Sequence, residues 1–170
     1  MSAKRTLEDQ NARARLRRSM SGLEYMQALA KGEIPQSGMG ELLGFRLAEV
    51  GEGRAVVVIT PGEHHYNGLG IVHGGLAATL LDSALGVAIN TMVPTGQAFA
   101  TLEMKIDYVR PIRGGVGELR CVGNVIHVGG RVATAEGRVE DAKGTLYAHG
   151  TATCMLFRQR SSDGESKSDE

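Results

Sequence analysis

Twenty residues, Ile71 to Asn90, constrain this chain more than any others. They read IVHGGLAATLLDSALGVAIN and carry one charged side chain, Asp82. The stretch is too long for an ordinary strand and too evenly apolar for a helix lying on a surface. A helix that is hydrophobic nearly all round is a buried one, so the rest of the chain must be built around it. Val93-Pro94-Thr95-Gly96 ends it.

On both sides the apolar period changes from helical to two, which predicts strands. Phe45, Leu47 and Val50 alternate with polar neighbours, Gly51-Glu52-Gly53 makes a turn, and Arg54–Thr60 returns as RAVVVIT, giving a hairpin. Pro61–Gly70 is a loop rich in Gly, His and Asn. After the helix, four strands are expected at Phe99–Val109, Gly117–Val128, Arg131–Glu140 and Leu146–Phe157. In the first, Leu102, Met104, Ile106 and Tyr108 fall on one face. Gly129-Gly130 and Asp141-Ala142-Lys143-Gly144 mark turns, and no connection has room for a crossover helix, so the strands read as an antiparallel meander. The expected fold class is α+β: one antiparallel sheet of about six strands wrapped around one long central helix.

The ends differ in character. Residues 1–20 hold six Lys or Arg against two Asp or Glu, a solvated or partly helical extension. Leu23, Met26, Leu29 and Ala30 then fall at helical spacing, Ser21 and Glu24 form a capping-box pair, and Gly32 is a stop. Met39–Leu43 reads as a short turn. From Arg158 onward the chain is polar and charged, with Ser, Lys, Asp and Glu prevailing toward its end, and is expected to be disordered. The division is therefore an extension over 1–37, a domain over 38–157 and a tail over 158–170.

Composition excludes several classes. Among 170 residues, 19 Lys and Arg balance 19 Asp and Glu, so no overall field favours a nucleic acid or a membrane surface. The opening residues lack an apolar core, so no secretory signal is expected, and no stretch has the length and flanks of a membrane span. The cytoplasm is the expected location. Cys121 and Cys154 lie far apart in predicted strands and read as reduced, buried, small hydrophobes. The five histidines show no zinc-type spacing and no metal site is expected.

Asp82 sits mid-way along the segment read as buried, where an unpaired carboxylate is costly. Such a group is kept for a hydrogen-bond network or for chemistry, and the residues alone leave both open. At the helix start, His73-Gly74-Gly75 leaves backbone N–H groups at a positive helix end with no Cβ in the way. A polarised carbonyl oxygen is the natural guest there, although tight turning and close packing would explain the glycines equally well. Asp82 lies eight residues beyond Gly74, roughly 12 Å along a helix axis. One helix cannot bring both to the same carbonyl, whereas two antiparallel copies could, which predicts a two-fold dimer with shared sites. Ala77, Ala78, Ser83, Ala84, Gly86 and Ala88 would let such copies approach closely.

The stretch Asn67-Gly-Leu-Gly-Ile-Val-His-Gly-Gly-Leu-Ala-Ala-Thr-Leu-Leu-Asp82, followed by Thr101-Leu-Glu-Met-Lys-Ile-Asp-Tyr-Val-Arg-Pro111, resembles the hotdog-fold thioesterases, and within them the phenylacetate-degradation (PaaI-type) branch. The similarity spans about residues 38–157. It implies an acyl-CoA thioesterase in which Asn67 lies beside the thioester or the attacking water and His73 belongs to the polar network. By the same resemblance Gly74 N–H would bind the thioester oxygen, Asp82 would activate water or attack directly, and Thr101 would help to position the water. It further implies that Asp82 and Thr101 come from the subunit opposite to the one supplying Asn67 and Gly74 in a homodimer; it leans toward pairing of dimers into a homotetramer, which the sequence leaves open. No cofactor is implied, because coenzyme A is part of the substrate.

Coenzyme A carries phosphates, so basic residues should rim the site. Arg110, Arg113 and Arg131 are the candidates, each beside a turn or Gly pair, and the resemblance favours Arg110-Pro111 and Gly130-Arg131. Two other readings share the fold. A hydratase or dehydratase would need a His and an acid acting together on the acyl chain, and an acyl-CoA-binding sensor would need more helical DNA-binding machinery than about 37 residues offer. The acyl group could be aryl or a medium-length aliphatic chain.

Overall fold

The computed structural model describes residues 7–36 and 38–159. Helices α1 (Leu7–Ser19), α2 (Gly22–Ala30) and the short α3 (Gly38–Leu43) precede the hairpin β1 (Arg46–Gly51) and β2 (Arg54–Ile59). One 3₁₀ turn, Glu63–His65, leads to the long helix α4 (Gly74–Thr91). Four strands follow: β3 (Gln97–Tyr108), β4 (Leu119–Val128), β5 (Val132–Asp141) and β6 (Leu146–Arg158). The expected tail lies outside the described residues except for Arg158, which closes β6, and Gln159, whose N–H donates to Gly96 O at 3.0 Å.

The six strands form one antiparallel sheet in the order β1-β2-β4-β5-β6-β3, and α4 touches every one of them. Leu80, Leu81, Ala84, Leu85, Ala88 and Ile89 are fully buried, a stripe at helical spacing along one side of α4. Against it the sheet presents small or branched residues, among them Ala55, Val57, Cys121, Ala133, Ala135, Val139, Ala152 and Cys154. A chain with no tryptophan fills its core in this way, aliphatics on the helix meeting small side chains on the strands. A Cβ on Gly123 of β4 would lie 2.5 Å from Ala84 O, so the glycine lets the helix backbone settle directly on the sheet.

This packing corrects two expectations. Ala77, Ala84, Gly86 and Ala88 are buried within the chain, so most of the small-residue face serves α4's own sheet and is not free for a second copy. The strands are also not a simple meander. β4, β5 and β6 are joined as hairpins, but β3 crosses to the far edge and pairs with β6. The loop after β3 carries the chain back over the end of the sheet, where Val72 N–H donates to Ile112 O at 2.9 Å.

Register in β3 corrects a third. The pairing with β6 shifts between Thr101 and Glu103, leaving Leu102 as an extra residue. Cross-strand partners share a face, and Thr101, Met104, Ile106 and Tyr108 lie opposite Cys154, Ala152, Gly150 and Ala148, all four of which are buried. Thr101 therefore joins the helix-facing set and Leu102, 58% exposed, leaves it. One inserted residue reverses the alternation, as β-bulges do.

The N-terminal helices lie on this framework. Ser21 Oγ accepts from Glu24 N–H while Glu24 Oε2 accepts from Ser21 N–H, the expected capping box, and Gly32 takes φ +78 past the end of α2. Tyr25, Ala28 and Ile34 form a small second core. Both cysteines are free and buried, and burial pushes the Cys121 thiol well up.

Candidate active site

The loop before α4 is organised by two side chains. Asn67 Oδ1 accepts from Leu69 N–H at 2.9 Å and Ile71 N–H at 3.4 Å, an Asx-type closure. His65 is buried; its Nδ1 accepts from Gly62 N–H at 2.9 Å, so Nε2 carries the proton and donates to Leu43 O at 2.8 Å. That histidine is a strut. Chain direction then turns into α4 at His73, the N-cap, whose Nδ1 accepts from Gly75 N–H at 2.8 Å. The Gly74 amide is one of the donors that a helix start leaves without an intrahelical acceptor.

Around that amide lies a cleft of about 230 Å³ lined by Asn67, Gly74, Tyr108, Arg110, Pro111 and Tyr147, with apolar neighbours. Because Asn67 Oδ1 is committed to its own loop, the Nδ2 donors are the part of that side chain left to meet a ligand. Tyr108 Oη donates to Gly74 O at 3.2 Å, and a Cβ on Gly74 would sit 3.2 Å from the Tyr108 ring. A larger residue at 74 would therefore push the Tyr108 ring aside by a few tenths of an ångström. Arg110 is anchored through a donation to Leu146 O at 2.8 Å. Tyr108 was not singled out from sequence as a site residue, having been read as one of four apolar-face side chains.

Asp82 and Thr101 lie elsewhere. Thr101 Oγ1 donates to Asp82 Oδ1 at 3.0 Å, and Cys154 Sγ lies 3.8 Å from Thr101 Oγ1. Both line a second and larger cavity, about 390 Å³, walled by α2, β1, α4 and β3. Asp82 is exposed in the single chain, which corrects the expectation of a buried carboxylate. Helix α4 is not buried all round: the side carrying Thr79, Asp82 and Ser83 looks away from the core stripe.

The ten residues singled out from sequence thus fall into separate places. Asn67, Gly74, Arg110 and Pro111 share the first cleft, while His73, the helix cap, lines a separate cavity with His64, His65 and Tyr66. Asp82 and Thr101 share the second. Gly130 and Arg131 sit in the β4–β5 turn, where Leu156 N–H donates to Arg131 O at 2.8 Å, on the sheet end near Thr101 and far from Arg110. Arg113 is exposed in the loop beyond Pro111. Among the described residues no three His, Cys, Asp or Glu come together as metal ligands, and no described helix is long and apolar enough to cross a membrane.

A family model described as the thioesterase superfamily matches residues 69–148, the span from the Asn67 loop to β6. A protein of Halobacterium salinarum with a provisional esterase name is 33% identical over 142 residues, 77% of this chain and 92% of that one. The chain belongs to the thioesterase superfamily. Human acyl-coenzyme A thioesterase 13 is 27% identical over 134 residues, 78% of this chain and 92% of that one. The solved PaaI protein from the phenylacetic acid degradation operon of E. coli has a TM-score of 0.70 at 23% identity, covering 81% of this chain and 96% of that one. The architecture is accordingly the hotdog fold in its PaaI-type form, and the chain is a thioester hydrolase.

Proposed function

We propose that this thioesterase hydrolyses an acyl-CoA thioester in a composite site, Asn67 and Gly74 coming from one copy and Asp82 and Thr101 from its partner in a two-fold dimer. The observation that carries the reading is the separation of the two clefts along one helix. Gly74 and Asp82 are both on α4, eight residues or roughly 12 Å apart, and each lines its own cavity with its own accessory residues. An antiparallel second copy would set the first cleft of one chain against the second cleft of the other.

In such a site the thioester carbonyl oxygen accepts from Gly74 N–H, at the positive end of α4, which favours the charge that develops there. Asn67 Nδ2 supplies a further donor. Asp82 either takes a proton from a water, whose oxygen attacks the carbonyl carbon, or attacks it directly; Thr101 holds the carboxylate by donating to Oδ1. The C–O bond forms, the C–S bond breaks, and coenzyme A leaves as its thiol, its proton coming from the water; in the direct route a water then hydrolyses the acyl–Asp82 anhydride, freeing the acid and the carboxylate. Arg110 and Pro111 border the cleft where the nucleotide would lie, and Arg131, with Gly130, and Arg113 are further candidates for its phosphates. No metal or other cofactor has a part in this reaction. The free thiols of Cys121 and Cys154 suit a cytoplasmic place of action, and pairing of dimers into a tetramer belongs to the same proposal.

Mixing tests the shared site directly. Asp82→Ala and Asn67→Ala chains are each expected to be nearly inactive alone. Refolded together in equal amounts, they should recover about a quarter of parental thiol release, because half the dimers are mixed and each mixed dimer holds one intact site. Absence of any recovery, with mixed dimers demonstrated, would place each site within one chain.

A further inference from the structure

The cavity beside Asp82 has a wall that the thioesterase match, residues 69–148, does not include. Met26 and Leu29 of α2 and Met39 of α3 face Val87 and Phe99 across it. Met26 and Leu29 are three residues apart and share a helix face. The Phe99 ring approaches α4 because position 86 is glycine; a Cβ there would lie 3.1 Å from the ring. Asp82, at this same cavity, is the one charged side chain among its lining residues.

Helix α2 is fixed at a set depth. Gly22 N–H donates to Val93 O at 2.9 Å, and a Cβ on Gly22 would fall 1.7 Å from Asn90 O, so α2 begins against the last turn of α4. Asn90 is fully buried, its Oδ1 accepts from the Arg17 guanidinium, and that guanidinium lies 5.2 Å from the Tyr25 ring centroid. Burial holds the Arg17 pKa below its ordinary value. These contacts tie α1 and α2 to the end of the helix that carries Asp82.

We propose that the N-terminal segment is the acyl-length ruler of this enzyme, with Met26, Leu29 and Met39 closing an aliphatic pocket that takes a linear, medium-length acyl chain. This rests on the reading that Asp82 stands at the reacting carbonyl. The acyl group then runs from Asp82 between α2 and α4, where every other lining group is uncharged. A cleft of about 390 Å³ falls within the range of small-molecule sites and suits an acyl chain of medium length. Two methionines on the wall are unbranched and deformable, suited to a flexible chain.

The test is kcat/KM over linear acyl-CoAs from butanoyl to hexadecanoyl, with phenylacetyl-CoA included, for the parent, Leu29→Phe, Leu29→Ala and Met39→Ala. Met39 is 56% exposed, so its truncation leaves the fold intact even if changes at Leu29 do not. Leu29→Phe should cut the longest good substrates about tenfold or more relative to butanoyl, and the two alanine variants should move the optimum to longer chains. Folded variants that change all lengths by one common factor would overturn the ruler, and a parent preference for phenylacetyl-CoA over every linear chain would overturn the aliphatic assignment. A parent inactive on every thioester, or undiminished by Asp82→Ala, would instead remove the reading of Asp82 on which the ruler rests.

Discussion

Thr101 Oγ1 donates to Asp82 Oδ1 at 3.0 Å, and it reaches that atom because β3 carries one residue more than its partner strand at Leu102. Were Leu102 paired in regular alternation instead of bulging out, Thr101 would face away from α4. Replacing Asp82 by Ala or Asn removes the proposed base or nucleophile and should lower kcat at least about a hundredfold, with KM and oligomeric state little changed. Thr101→Ala should cost about tenfold and Thr101→Ser should restore most of it, since serine keeps the donor. Release of coenzyme A thiol from an acyl-CoA panel measures all four variants; an Asp82→Ala chain as active as the parent would remove Asp82 from the chemistry.

Asn67 separates a loop-building role from a chemical one. Its Oδ1 closes the loop while Nδ2 is the group proposed to face the substrate. Asn67→Asp keeps the acceptors and loses the donors, so the variant should melt close to the parent and yet lose most of its kcat. Asn67→Ala loses both and should also be destabilised, by about 1 kcal/mol. Thermal melts beside thiol-release rates decide it, and full activity in Asn67→Asp would reduce Asn67 to a loop residue.

Much of this frame was readable in the residues. The uniform apolar run announced α4, Ser21 and Glu24 announced the start of α2, and alternating or continuous apolar runs between turn signals marked the strands. Three things were not readable, each for a physical reason. TLEMKIDYV continues its alternation through the bulge, so nothing local shows that Leu102 drops out and Thr101 turns inward. The place of β3 beside β6 is set by long-range pairing, which loop length does not specify. Asp82 reads as buried in the sequence because hydropathy averages around a helix, whereas Thr79, Asp82 and Ser83 together make one open side. The candidate site residues could be named from types and spacings; the structure divides them between two clefts, in keeping with the roughly 12 Å between Gly74 and Asp82 along α4.

Gly123 tests the seat of the helix. With a Cβ 2.5 Å from Ala84 O, Gly123→Ala cannot be absorbed by a side-chain rotation, because the clash is with backbone. Helix α4 must lift from β4, at a cost of about 1–3 kcal/mol. Urea unfolding should show the midpoint falling with an unchanged slope. Since Gly74 and Asp82 both ride on α4, kcat should fall as well. A variant as stable as the parent would mean that the helix is free to move off the sheet.

Glu49 gives the sheet a pH dependence with a definite sign. Its carboxylate in β1 accepts from Arg54 of β2 at 2.8 Å and from Arg120 of β4, bridging three adjacent strands. The Arg54 hydrogen bond first, then that of Arg120, holds its pKa below the ordinary value. A carboxylate depressed in the folded state contributes stability that is present above its unfolded pKa, about 4.3, and is lost as pH falls through the folded value. The group is half exposed, so the contribution at neutral pH should stay below about 1 kcal/mol and shrink in high salt. Glu49→Gln should therefore be slightly less stable than the parent at pH 7, and the difference should close as both are acidified, because the parent alone loses the charge. Parallel urea titrations at neutral and acid pH measure it; a gap that stays constant into strong acid would mean that the two arginines hold Glu49 by packing and neutral hydrogen bonds, not by charge.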